Sequence, residues 1–162
     1  MSESPIIVRP LESGDRAWML RHLEEAWGSV RVVTCGVLYD LSDMPGLVAW
    51  HSDQRVGLLL YRIDGAACEI MLLDSVVEGI GAGTALLAAA QETARVAGCA
   101  RLWLITTNDN THALRFYQRR GWRLVALHRD ALTVSRKLKP EIPLVGFDGI
   151  PLRDEIELEM ML

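Results

Sequence analysis

Apolar and charged residues alternate most clearly at the end of the chain, where Ile156, Leu158, Met160 and Leu162 interleave with Glu155, Glu157 and Glu159. A period of two predicts a half-buried strand over 155–162 with the glutamates on a solvated face or, instead, on a face that attracts a cationic ligand. A helical period over 13–27 puts Ala17, Leu20, Leu23 and Trp27 on one side, with Ser13 or Asp15 as the cap. Further helices are predicted over 84–97, ended by Gly98, over 111–119, capped by Asn110 and closed by Gly121, and over 130–138, ended by Pro140. Strands are predicted over 6–8, 47–50, 55–62, 66–73, 101–106 and 122–128, with a His-Ser-Asp-Gln turn and Gly65 making the middle three an antiparallel meander. Residues 28–45 show no period and read as irregular. The order predicts a mixed α/β fold: a mostly antiparallel central sheet flanked by helices, in a single domain over 1–162.

Composition narrows the function classes. Half of the 162 residues are apolar and 23% are charged, enough for one sizeable core. A net charge of −4 offers no basic footprint for nucleic acid. Cys35, Cys68 and Cys99 lack metal-ligand spacing and sit in apolar stretches, so they read as reduced core thiols of a cytoplasmic protein that holds no metal. The opening MSESPIIVRP lacks the basic head and apolar run of a signal peptide, and the uncharged stretch 79–90 is too short to span a bilayer.

Two motifs carry the chemistry. In VVEGIGAGTALL, residues 76–87, Gly79, Gly81 and Gly83 stand at the mouth of a predicted helix. Glycines there admit left-handed turns and close approach by an anion to free backbone N–H groups. A P-loop would need Lys-Ser/Thr after its last glycine, but Thr84-Ala85 follows Gly83. A dinucleotide fingerprint would place a glycine where Thr84 stands and would follow a parallel unit rather than a meander. The second motif is NDNTHALRFYQRRGW, residues 108–122, in which Asn110 is followed seven residues later by Tyr117 and then by Gly121 and Trp122. Together, in this order and on these elements, the two motifs resemble the GNAT superfamily of acetyl-CoA-dependent N-acetyltransferases, with Glu78 to Gly83 in the register of its pyrophosphate loop. The resemblance runs in element order from about Ile6 to the C-terminus.

That resemblance implies a reaction and a set of roles. Backbone N–H groups of Gly79, Gly81, Ala82, Gly83 and Thr84 would cradle the pyrophosphate of acetyl-CoA, while Leu72 and Leu73 would offer backbone groups to its pantetheine arm. Glu78 departs from the family's Gln or Arg and would have to face solvent. Asn110 would bond the pantetheine or the helix backbone, with Asn108 a second candidate. Tyr117 would be the general acid, although its spacing with Ala113 and Leu114 also suits a core position. Glu69, on the strand entering the loop, would be the base; strand alternation sets it beside Met71 and Leu73 on one face, and a purely structural role fits it equally. His128 reads as a strand-end histidine. The acceptor would be a small primary amine in a closed pocket, walled by Trp27 and Tyr39, with Arg136 or Lys137 as carboxylate anchors and the Pro- and Gly-rich segment 129–153 as a rigid lid. A peptide acceptor, a non-catalytic acyl-CoA sensor and a homodimer remain open alternatives.

Overall fold

The structure of the protein, a computed structural model, describes residues 4–162; residues 1–3 of the N-terminal stretch weighed as a leader lie outside the described residues. The elements are β1 (Ile6–Pro10), α1 (Arg16–Trp27), β2 (Arg31–Thr34), β3 (Val37–Asp40), β4 (Gly46–His51), β5 (Gln54–Asp64), β6 (Ala67–Ser75), α2 (Ala82–Val96), β7 (Arg101–Thr107), α3 (Thr111–Gln118), β8 (Arg123–His128), α4 (Ala131–Leu138) and β9 (Glu155–Met161). The fold class is the expected one, a mixed α/β fold whose seven-stranded sheet is mostly antiparallel, with four α-helices among the described residues. Contacts gather into two compact units, one made of residues 4–30, 40–102 and Leu162, the other of residues 31–39 and 103–161.

In the first unit the strands run in the order β1-β4-β5-β6, each antiparallel to the next. Helix α2 packs across all four, with Leu86, Leu87, Ala90 and Ala94 buried. Helix α1 buries Met19 and, of the expected stripe, Leu23, while Leu20 is half-buried, Ala17 is exposed and Trp27 is half exposed. The entry to α1 is a short 3-10 turn, Ser13–Asp15, closed by a capping box in which the Glu12 N–H donates to the Asp15 carboxylate at 2.9 Å.

Between Leu60 and Tyr61 the pairing of β5 with β6 shifts register: Leu60 faces Leu72 but Tyr61 faces Ile70, so Met71 is an extra residue on β6. A bulge of this kind breaks the period of two. Glu69, opposite Arg62, therefore shares its face with Leu72 and Asp74, which stand opposite Leu60 and Leu58, and not with Leu73 as strict alternation predicts.

In the second unit the order is β7-β9-β8, with β8 antiparallel to β9 and lying at the sheet edge. Helix α3 packs on β8 and α4 on β2. The segment expected to be irregular holds a two-stranded ribbon, β2 with β3. Its turn residues Cys35 (φ 49°) and Gly36 (φ 73°) both take left-handed angles, as a tight two-residue hairpin requires. Cys35 is thus exposed at a hairpin tip, contrary to the core position expected for it, whereas Cys68 and Cys99 are buried free thiols. Burial, then the neighbouring Cys99 and Glu69, pushes the Cys68 thiol up to about 12, which keeps it protonated and unreactive.

Candidate functional site: a glycine cradle and a buried tyrosine

The glycine stretch folds as a left-handed turn that opens directly into a helix. Gly79 (φ 78°) and Gly81 (φ 87°) are both left-handed, and a Cβ built on either would meet no atom within 4 Å. Gly81 is the N-cap of α2, and the first helical bond runs from the Ala85 N–H to the Gly81 carbonyl at 3.0 Å. The amides of Ala82, Gly83 and Thr84 thus precede the helical ladder, at the positive end of the helix dipole. Glu78 is exposed, as the cradle reading required. Upstream, Leu72 is buried and Leu73 half-buried, opposite Leu60 and Leu59 of β5.

Glu69 is almost fully buried, and Arg62 Nε donates to its Oε2 at 2.8 Å. The apolar surroundings expected for this carboxylate include a guanidinium, because the bulge turns Glu69 toward Arg62's face. Sequence reasoning also missed a pair in this unit: His22 Nε2 on α1 contacts Asp74 Oδ2 on β6, five residues before Gly79. The His22 ring stacks on Trp18 with centroids 5.6 Å apart. A partner 52 residues away leaves no spacing signal along the chain.

In the second unit Tyr117 lies in α3, 7% exposed, with ring-edge contacts to Phe116 and Trp122, each at 5.2 Å between centroids. Burial pushes its phenol above the ordinary tyrosine value. Asn110 takes the helix-backbone alternative, its Oδ1 accepting from the Ala113 N–H at 3.1 Å.

Asn108 has a different task from cofactor binding. Its Nδ2 donates to the Pro151 carbonyl at 2.9 Å, and its Oδ1 accepts from the Arg153 and Asp154 amides at 3.0 and 2.9 Å. The neighbouring Asp109, 3% exposed, accepts from the Phe147 N–H at 3.0 Å and from the Thr107 hydroxyl. Together they moor the segment 139–153, whose own bridge between Val145 and Pro151 makes it a small hairpin. Arg136 is not set to anchor a carboxylate: its guanidinium donates to the carbonyls of Ile142, Pro143 and Leu152 in the same segment. Lys137 is exposed on α4, and Tyr39 is half-buried on β3.

Glu155 departs furthest from expectation. It is 2% exposed rather than solvated, because Oε2 accepts from the Cys35 N–H at 3.2 Å and from the Thr34 hydroxyl at 3.5 Å. Burial raises its pKa, partly offset by the Cys35 amide, the charge of His128 and the Thr34 hydroxyl. The native state therefore holds this proton to higher pH than the unfolded chain does, and the stability it contributes fades as pH rises from the ordinary glutamate range through the raised value. Glu155→Gln is expected to flatten that slope: urea midpoints of wild type and variant, compared at pH 5 and pH 8, should show the wild type losing stability relative to the variant as pH rises.

The chain matches the model of the acetyltransferase (GNAT) family over residues 16–122. It is 46% identical over 136 residues to the uncharacterized protein YxbD of Bacillus subtilis (strain 168), covering 83% of this chain and 86% of that one. In structure it is similar to an IAA acetyltransferase from Bacillus cereus ATCC 14579, with TM-score 0.74 and 22% identity, covering 98% of this chain and 100% of that one. It is also similar to a GNAT family acetyltransferase from Elizabethkingia anophelis with acetyl-CoA bound, with TM-score 0.72 and 21% identity, covering 97% of this chain and 98% of that one. The chain belongs to the GNAT acetyltransferase family. Among the described residues, no helix is long and apolar enough to cross a membrane.

Proposed function

We propose that the protein transfers an acetyl group from acetyl-CoA directly to the primary amine of a small molecule. The observation that carries this reading is the left-handed Gly79–Gly81 turn, open where a Cβ would sit, at the N-terminus of α2. It suits a pyrophosphate, and solved relatives of the same fold hold CoA or acetyl-CoA. Bound there, acetyl-CoA supplies a thioester carbonyl open to attack by an amine, with a thiolate as leaving group.

Tyr117 is proposed to donate a hydrogen bond to that thiolate. An ordinary phenol near 10 is about 1.5 pK units less acidic than a thiol near 8.5, so full proton transfer is uphill by ~2 kcal/mol. Burial of Tyr117 widens the gap, which favours a hydrogen bond that strengthens as the sulfur gains charge over a complete handover. An alkylamine has a pKa of about 10.4, so a group must take its proton, and Glu69 is proposed for that role. A small acceptor is favoured by the segment 139–153 being held in place by Asn108 and Asp109 rather than left loose.

Acetyl-CoA at a hundredfold excess over its Kd is expected to stabilise the fold by about 2.7 kcal/mol. For a chain of this length that is roughly 5–11 °C in Tm. Gly81→Val should remove the shift, since it adds a branched side chain at φ 87° into the space meant for the ligand. A shift that persists in the variant would dismiss the cradle. Thiol release with a panel of small amines and peptides then sorts the acceptor: release with amines supports the proposal, release with peptides alone moves the acceptor class, and a shift without release indicates a sensor.

A further inference from the structure

Helix α3 ends in a turn that folds the chain back on Tyr117. Gly121, at φ 88°, sends its N–H to the Gln118 carbonyl at 3.1 Å, and the Trp122 amide reaches the Tyr117 carbonyl at 3.2 Å. This pair of bonds is the common glycine-ended helix stop, in which the side chain after the glycine packs on the last turn of the helix. Trp122 therefore lies against Tyr117, with ring centroids 5.2 Å apart and planes at 61°. Packing alone needs only an apolar side chain there. Trp122 is 3% exposed, and its indole N–H is buried with no hydrogen-bond partner among the described residues. An indole nitrogen can only donate, and buried donors are nearly always paired. A phenylalanine would fill the turn without carrying a donor into it.

The group that the turn sets against this donor is an aromatic ring. An aromatic face carries the negative part of the ring quadrupole and the rim the positive part, and a contact at 5.2 Å and 61° falls in the edge-to-face range. The N–H is the most positive point of an indole rim, and its donation to an aromatic face is a recognised weak hydrogen bond. We infer that Trp122 donates its indole N–H to the ring face of Tyr117 and so fixes the plane of that ring. Phe116 touches the same ring with planes at 88° but has no polar hydrogen to hold it. The plane matters because a phenolic oxygen conjugates with its ring, which keeps the O–H in the ring plane and makes that plane the direction in which Tyr117 donates. Trp122 is thus a positioning residue that acts through Tyr117. This inference rests on the role proposed for Tyr117 and adds to it the group that aims the hydroxyl.

The test is NMR on the full chain with isotope-labelled tryptophan and tyrosine, without cofactor, the Trp122 indole resonance being assigned by its loss in Trp122→Phe. Its Hε1 is expected upfield of the other indole protons, because a proton over an aromatic face is shielded by the ring current. It should stay upfield in Tyr117→Phe, which keeps the ring, and return to the ordinary range in Tyr117→Leu. The Tyr117 ring is expected to flip slowly in the wild type and faster in Trp122→Phe, which keeps an aromatic side chain in the turn and should change Tm little. A Trp122 Hε1 in the ordinary range, or a flip rate unchanged in Trp122→Phe, overturns the inference. In single turnovers Trp122→Phe should lower the rate about two- to fivefold, the fold-change that a weak hydrogen bond of this class represents, with the Kd of acetyl-CoA unchanged. An unchanged rate overturns the positioning role. Failure of the transferase reading is distinguishable, since it shows as absent thiol release from the wild type while the shielded indole proton persists.

Discussion

Replacing Tyr117 with phenylalanine is expected to lower turnover by roughly 10²–10⁴-fold, the span usual for a group that handles a proton in the transition state. The substitution removes only the hydroxyl. Its ring keeps the edge contacts to Phe116 and Trp122, so the packing of α3 is preserved. The thermal shift with acetyl-CoA should therefore stay close to that of the wild type, and kcat should carry the loss. Single-turnover measurements under conditions where chemistry limits the rate make the comparison. Unchanged turnover there would reduce Tyr117 to a packing residue of the second unit's core.

The second large effect is structural. At Gly146 a Cβ would lie 1.9 Å from Asp109 Oδ2 and 2.6 Å from its Cγ, closer than any real contact. Gly146→Ala must displace either the segment 139–153 or the Asp109 carboxylate, which is buried and bonded to the Phe147 amide. Overpacking of this kind costs about 1–3 kcal/mol. A buried acceptor left without its donor adds about 1–3 more. With roughly 2–4 °C per kcal/mol for a chain of this length, Tm should fall by about 4–24 °C. Gly14→Ala, where a Cβ meets nothing within 4 Å, serves as the control and should change Tm little.

What was legible in the sequence is what local chemistry dictates. The glycine turn at the mouth of α2 could be read because the glycines and a helix start lie within a few residues of each other, and Asn110 could be read as a cap because its target, the Ala113 amide, is three residues away. The central strands and helices followed from periodicity alone. What escaped depends on partners distant along the chain. Glu155 looks solvated by alternation and is buried because the Cys35 amide, 120 residues earlier, folds over it. Asn108 belongs to a motif but serves a carbonyl 43 residues on. The β2–β3 hairpin escaped because its turn puts cysteine where Asn or Asp would announce it. Glu69 was set on the wrong face because one extra residue, Met71, resets the alternation behind it, and no residue type there signals a bulge.

The three consecutive residues Asn108, Asp109 and Asn110 act as a mechanical joint. The first two grip the 139–153 hairpin, and the third grips the first turn of the helix that carries Tyr117. A peptide plane separates one grip from the next, so leverage on the hairpin is passed to the helix start with little slack. On the role proposed for Tyr117, a change far along the sequence, in 139–153, is therefore expected to reach the start of its helix through this joint and to alter turnover as well as stability.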